Sequence, residues 1–407
     1  MIETAKKVKA ASLTLLSIDE EKRKEALLEL KALILKNTAM ILSENAADLE
    51  EAKKLNLSSA LLERLKLSET SLRNLADSCE QIANQETVVG TISEEYKRPN
   101  GLIIKKQRIP LGVILMIFES RPNVMIDGAA LAIKSGNAII LKGGKEAKRS
   151  NQIFFDLIQE AIKGRLPQDS IEKINSRDEV EVLLSLNQYV DLVVPRGGTS
   201  LVQEIKKKAT MPVIAHDKGL CHLYVDHEAE IDLVEKIVLN SKTQRPGVCN
   251  ATETLLIHEK YPQTKELLFA LLSAGVELRG CEKSKKYTDK IILATEADYA
   301  TEYLSMSLSV KIVSSLQEAI DHIKRFSSQH TEAILSKNPL SQELFAKTLD
   351  SSAIVVNAST RFNDGGELGL GAELGISTTK FHAYGPMGAK EMTTTRFLIL
   401  GNGQIRN

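Results

Sequence analysis

From residue 111 onward, short apolar runs alternate with helical stretches, and this alternation constrains the fold more than any other feature. The runs lie at 113–118, 138–141, 190–194, 213–215 and 223–225, with helical periodicity around 126–134, 146–163 and 200–208. Apolar runs of strand length separated by helices are the pattern of a mostly parallel sheet covered on both faces. After residue 249 the pattern repeats, with helices near 262–273, 316–326 and 340–348 and strands near 291–293, 310–313, 332–335 and 353–356. A chain of 407 residues is also too long for one small core. The sequence therefore reads as α/β, with two doubly wound units.

The first 90 or so residues read as helices that cover a sheet. Glu20–Lys36 places Leu27, Leu28, Leu30, Ile34 and Leu35 at helical spacing, and a further helix opens at Thr70 with Leu72, Leu75 and Ile82 after it. A turn at 97–101 leads into a short exposed strand at 102–108, and the strand-like segment 392–400 is expected to pair with it across a subunit contact. Fifty-three basic residues balance fifty-three acidic ones, which gives no reason to expect nucleic acid or an anionic membrane as partner. Trp is absent, so stacking platforms for single strands are not expected either. The start has no apolar core of signal-peptide length, and no apolar run could span a bilayer. The four cysteines, at 79, 221, 249 and 281, show no CxxC pair and fit reduced thiols in a cytoplasmic protein.

One cysteine stands apart. Cys249 lies in Ser241-Lys-Thr-Gln-Arg-Pro-Gly-Val-Cys249-Asn-Ala-Thr, between a helical segment ending near Asn240 and an apolar strand at 254–257. Pro246 holds the turn and pushes Arg245 towards an extended conformation, while Gly247 allows the backbone close to a ligand. Lys242 and Arg245 favour the thiolate, which is the nucleophilic form. An inert core cysteine is the plainer reading of a lone thiol, but such cysteines sit inside apolar runs and this one does not.

Other positions stand at the ends of strands, where α/β sheets hold ligands. Lys142-Gly143-Gly144-Lys145 follows the run 138–141, and Lys142 is either a solvated strand-end lysine or a contact for the adenosine ribose or its 2′-phosphate. Gly198 and Thr199 open the helix 200–208, whose N-terminus is an ordinary cap or faces a pyrophosphate. Asn357, Ser359 and Arg361 follow the run 353–356, and the forked donors of Arg361 suit a carboxylate or a phosphate. The dinucleotide fingerprint GxGxxG is missing; Gly369-Leu-Gly371-Ala-Glu-Leu-Gly375 has the wrong spacing and reads as a loop. The seven histidines show no metal-ligand spacing, and no metal is implied.

The Cys249 stretch, together with Pro110-Leu-Gly-Val-Ile-Leu-Met-Ile-Phe-Glu-Ser-Arg-Pro-Asn123 and Val356-Asn-Ala-Ser-Thr-Arg-Phe-Asn-Asp-Gly-Gly-Glu367, closely resembles the gamma-glutamyl phosphate reductase family of the aldehyde dehydrogenase superfamily. The resemblance runs from Ala10 to the final Arg-Phe-Leu-Ile-Leu, and the superfamily also lacks GxGxxG. It implies an NADP-binding domain (1–97 and 112–219), a catalytic domain (220–388) and a small β oligomerisation element (98–111 and 389–407). It further implies NADPH-dependent reduction of L-glutamyl 5-phosphate to L-glutamate 5-semialdehyde through a Cys249 thioester, a homodimer or homotetramer, and functional coupling to glutamate 5-kinase. The rival readings are an aldehyde oxidiser making free acid and an inactive structural homologue. Asn123 matches the superfamily's oxyanion asparagine, which with the Cys249 N–H is worth ~3 kcal/mol per donor, and Arg121 is the alternative contact for a phosphate. Lys142 matches the cofactor-binding lysine, and Lys145 adds a charge that favours NADP. Glu302 is either a surface glutamate or the residue that holds the nicotinamide ribose. Arg245 joins Arg121, Asn357, Ser359 and Arg361 as substrate contacts. Tyr384 stands where members commonly carry Arg, and His216, in the segment 213–219 beside Asp217 and Lys218, stands where aldehyde oxidisers carry the glutamate that activates water.

Overall fold

A computed structural model describes residues 1–215 and 218–406, and the chain separates into two compact units. The first comprises residues 1–215, 369–375 and 387–406, and the second 218–368 and 376–386. His216 and Asp217 lie outside the described residues.

In the first unit a four-stranded parallel sheet runs in the order Ile171–Lys173, Ala138–Lys142, Val113–Phe118, Leu192–Arg196. Every residue of Val113–Phe118 is buried, as expected of a strand covered on both faces. The helix Asn123–Ser135 follows it and ends at Gly136, whose φ of 69° is the left-handed cap that glycine takes without strain. Near that end, the buried Lys134 ammonium donates to Glu20 Oε1 and to the Gln85 carbonyl, each at 2.6 Å. The helix that carries Asn123 is thereby tied to the N-terminal helices, of which Glu20–Lys36 and Glu69–Asn84 are the two read from periodicity. The run 213–215 makes only an isolated bridge, Val193 to Val213, in which the Val193 N–H donates to the Pro212 carbonyl and the Ile214 N–H to the Val193 carbonyl.

An antiparallel sheet of Ile92–Lys97, Ile103–Pro110 and Thr393–Leu400 completes this unit. The pairing of Thr393–Leu400 with Ile103–Pro110 is within one chain, and corrects the expectation of pairing across a subunit contact. The register runs unbroken from Thr393 opposite Pro110 to Leu400 opposite Ile103, so the two segments meet along their whole length.

The second unit holds a parallel seven-stranded sheet in the order Ile292–Leu293, Glu277–Gly280, Ser307–Val313, Thr252–His258, Cys221–Val225, Thr331–Leu335, Ala353–Val356. Alternate side chains serve opposite faces. Leu223, Val225, Leu255 and Ile257 join Val234, Val238, Leu267 and Leu271 in one core. Tyr224, Leu256 and Ile334 join Ile320, Ile323 and Phe345 in the other. Among the described residues no helix is long and apolar enough to cross a membrane.

On the second face, buried His322 packs edge-on to Tyr299 and to His222, with Lys311 Nζ 3.4 Å from its Nδ1. Burial pushes its pKa down to about 3, and His222, Lys311 and Arg325 push the same way. The folded ring is neutral while an unfolded one takes a proton below about pH 6.5, so stability is complete above that pH and is lost as pH falls towards 3. We expect His322→Gln to lose less stability than the wild type between pH 7 and 5 in urea denaturation; equal slopes for the two proteins would refute this.

Candidate active site

Cys249 occupies a turn between the helix Ile231–Thr243 and the strand Thr252–His258, and is half-buried. The chain is held from behind at this point. A Cβ added to Gly219 would stand 2.1 Å from the Cys249 carbonyl oxygen and 2.6 Å from its Cα, so only glycine allows the two backbones to lie this close. The Gly219 N–H donates to Glu302 Oε1 at 2.9 Å. Cys221, at the start of the next strand, donates its thiol proton to the Cys249 carbonyl at 3.1 Å.

The other buried thiols are poor nucleophiles. Burial pushes Cys221 well above the ordinary thiol range, helped by nearby Glu332, and burial does the same to Cys79 inside its helix. Cys281 is half-buried, and its sulfur accepts the Ile312 N–H at 3.4 Å.

The basic neighbours divide in a way that local sequence did not reveal. Lys242 is fully buried, and its ammonium donates to Glu253 Oε2 at 2.8 Å, so its charge is matched by a carboxylate. Burial holds Lys242 below its ordinary value and pushes Glu253 up to about 7. Glu253 Oε1 also accepts the N–H of Leu304, a residue with φ of 51° in the loop that carries Glu302. Arg245 remains exposed. Arg361 lies within electrostatic range of both Arg245 and Cys249; its guanidinium is lowered first by burial and then by Arg245, with Asp364 opposing.

Arg361 is aimed by its surroundings. Its Nε donates to Gln244 Oε1 at 2.8 Å, and its own N–H donates to Ser359 Oγ, which also accepts from Ser241 Oγ at 3.0 Å. Ser359 is buried. Asn357 has φ of 53° and spends its amide on Ser336, accepting that residue's N–H at 2.9 Å and donating to its carbonyl at 3.0 Å. Tyr384 donates to the Asp350 carbonyl at 2.7 Å with Lys380 over its ring, so its hydroxyl is used within the fold. Asp226, His227 and His258 converge although their spacing gave no metal signal. Their atoms are used internally: Asp226 Oδ1 accepts from Tyr224 and the His227 N–H, and His258 Nδ1 accepts the Lys260 N–H.

In the first unit, Lys142 ends its strand and lines a cleft with Arg177, Val180, Leu201 and Ile205, where Lys208 is paired with Glu181 and Glu204 and Glu119 adds a further carboxylate. Lys142 is lowered first by burial, with Glu146 opposing and Arg177 adding to the shift. Arg177 opens the helix Arg177–Leu183, which was not read from the sequence although the capping box Ser176-Arg-Asp-Glu179 marks its start. Lys145 is exposed and lines a different groove with Lys148 and Arg149, so Arg177 rather than Lys145 accompanies Lys142. Added Cβ atoms at Gly143 and Gly144 would stand 2.1 Å from Asn151 Nδ2 and 2.0 Å from Glu146 Oε1. A side chain at either position would displace the Asn151 amide or the Glu146 carboxylate that now packs against the path leaving the strand. Gly198 caps the helix Thr199–Lys208 as read, but its N–H donates to Glu119 Oε2 at 3.0 Å. Asn123 opens its helix, and its Nδ2 donates to Asp127 Oδ2 at 2.9 Å. Arg121 precedes that helix, and its carbonyl accepts the Val124 N–H.

A buttressed cysteine in a turn on one parallel sheet, and a cleft holding Lys142 and Arg177 at the strand ends of another, define a class. The sequence model of the aldehyde dehydrogenase family matches residues 6–278, and the chain belongs to that family. Its relatives narrow the class. The gamma-glutamyl phosphate reductase of Carboxydothermus hydrogenoformans is 46% identical over 100% of this chain and 99% of its own length. That of Caldanaerobacter subterraneus is 46% identical over 99% and 98%. The crystal structure of gamma-glutamyl phosphate reductase from Thermotoga maritima superposes with a TM-score of 0.94 at 39% identity, over 100% of this chain and 99% of that one.

The buried ion pair gives a direct test of how the turn is held. Glu253→Gln leaves the Lys242 ammonium buried without a counter-charge and should cost about 3–5 kcal/mol. The double variant Lys242→Met/Glu253→Leu should be less damaging than Glu253→Gln alone. Urea denaturation reads both, and a single-variant loss below about 1 kcal/mol would show that the ammonium escapes to water.

Proposed function

We infer that the chain reduces L-glutamyl 5-phosphate to L-glutamate 5-semialdehyde with NADPH, releasing phosphate, as in proline synthesis from glutamate. The observation that carries this reading is the full-length match, at 46% identity, to proteins named gamma-glutamyl phosphate reductase. We assign nucleotide binding to the unit formed mainly by residues 1–215 and acyl transfer to the unit formed mainly by 218–368.

The Cys249 thiolate attacks the acyl carbon of the substrate. The oxyanion that forms accepts from the Cys249 N–H, and the family resemblance assigns the second donor to Asn123, whose amide keeps one N–H beyond its bond to Asp127. Phosphate departs with the electron pair of the acyl–oxygen bond and leaves a thioester. Arg361, within electrostatic range of Cys249 and of Arg245, draws the anionic groups of the substrate to the turn with Arg245 beside it; Ser359 holds the Arg361 N–H, and Asn357 ties the end of the preceding strand to Ser336. NADPH, held beside Lys142 and Arg177, would supply the hydride that takes the thioester to the aldehyde level. Cys249 then leaves as thiolate and frees the semialdehyde.

The cleft beside Lys142 fits the adenosine end of the nucleotide. Val180, Leu201 and Ile205 offer apolar walls to a base, and Lys142 and Arg177 offer charge to a 2′-phosphate. Glu302 supports the Cys249 turn through Gly219 in this structure, and holding a nicotinamide ribose would add a second role for the same carboxylate. Self-association fits the small sheet, whose strand Thr393–Leu400 is an edge carrying exposed Phe397, Ile399 and Leu400.

Cys249→Ala should abolish turnover and leave NADPH binding intact, whereas Cys79→Ala should remain active. Run in reverse, oxidation of glutamate semialdehyde should require inorganic phosphate and yield the acyl phosphate. Full-rate NADP reduction in phosphate-free buffer, with free glutamate as product, would establish the hydrolytic alternative. Lys142→Ala and Arg177→Ala should each weaken NADPH about tenfold more than NADH in fluorescence titrations. Equal losses for the two nucleotides would show that neither cation reads the phosphate.

A further inference from the structure

Cys221 is fully buried at the first position of the strand Cys221–Val225, and its sulfur lies 3.1 Å from the carbonyl oxygen of Cys249. Two other groups adjoin its sulfur: His330 Nδ1, farther away at 3.6 Å and 2.8 Å from Thr331 Oγ1, and the Thr331 hydroxyl, which also hydrogen-bonds with Cys221. Two residues earlier, Gly219 presses against the same Cys249 peptide, and Glu302 pins Gly219 through its N–H. The segment 219–221 thus touches one peptide unit twice, once by close packing and once by a hydrogen bond. A carbonyl held in this way fixes the torsion that follows the Cys249 Cα, and with it the frame from which the Cys249 side chain projects. Burial keeps the Cys221 thiol protonated, so it is a donor at any working pH and offers no competing nucleophile.

We propose that Cys221 is a positioning residue for Cys249, its neutral thiol clamping the nucleophile's carbonyl so that the turn presents the reactive sulfur in one orientation. This rests on the reading of Cys249 as the nucleophile. A serine at position 221 keeps the donor, a valine keeps bulk without the donor, and an alanine removes both with no risk of overpacking. A role in packing alone ranks these variants by volume; the clamp ranks them by the presence of a donor.

Steady-state kinetics on the full chain separate the two. Cys221→Val and Cys221→Ala should lower kcat roughly three- to tenfold, the loss of one hydrogen bond expressed in a rate, with KM changed less than about twofold. Cys221→Ser should restore kcat to within about twofold of the wild type. Nucleotide affinity should be unchanged in all three. Wild-type kcat in the valine variant would overturn the proposal, and so would a serine variant as slow as the alanine one. Cys249→Ala measured alongside keeps the outcomes apart: turnover without Cys249 removes the nucleophile reading and the clamp with it, whereas an inactive Cys249→Ala with a fully active Cys221→Val removes the clamp alone.

Discussion

The peptide of Cys249 has backbone directly behind it. Where Gly219 passes, there is no room for even a methyl group, and the two main chains are held at that distance by the Glu302 carboxylate on one side and the Cys221 thiol on the other. A nucleophile in a turn is ordinarily free to sample several torsions, because turns carry few packing contacts. Here the freedom is removed by an adjacent strand rather than by the turn itself. The parallel register of Cys221–Val225 against Thr252–His258, with Leu223 opposite Leu255 and Val225 opposite Ile257, makes this contact inevitable once the sheet has formed. Sheet order and reactive geometry are therefore one constraint.

The same turn is anchored from beneath by charge. Lys242 stands in the last turn of the helix before it and Glu253 is the second residue of the strand after it, and the ion pair between them bridges the two ends of the loop that bears Cys249. Two buried charges cost much to desolvate, and replacement by apolar residues is often no less stable. What the pair adds is direction, since Glu253 also accepts the Leu304 N–H and so ties the loop carrying Glu302 to the loop carrying Cys249. Glu302 in turn reaches Gly219, which closes a ring of contacts around the nucleophile.

Much of this was legible in the sequence, and the rest divides by distance along the chain. Strand runs with period-two or continuous apolar character placed most of both sheets, and the helix Leu316–Phe326 appeared where the periodicity put it. Ile92–Lys97 was not read because Ser93, Glu94, Glu95 and Lys97 make it look solvated, which as an exposed edge strand it is. Cys249 in its turn and Lys142 at its strand end are local features, written in adjacent residues. Which cation faces which partner is not local. Lys242 reads as a charge beside a thiol and is spent on Glu253; Lys145 reads as a neighbour of Lys142 and points to another groove; Arg177, thirty-odd residues on, is the one that arrives. Gly219 and Cys249 are thirty residues apart, and nothing in either stretch announces that their backbones meet.

Neither compact unit is a continuous piece of chain. The first needs 369–375 and the strand Thr393–Leu400, and the second needs the short ribbon of Ile376–Ser377 and Gly385–Pro386. During synthesis the strand Ile103–Pro110 must therefore wait nearly three hundred residues for its partner, with only Ile92–Lys97 beside it. Pairings across such separations carry a large closure entropy and form slowly. A nascent chain paused before residue 393 exposes one edge of that strand, and an exposed edge is a template for another chain. Slow translation or truncation near residue 390 should thus turn the protein towards aggregation, through a segment that lies far from the reactive cysteine in sequence.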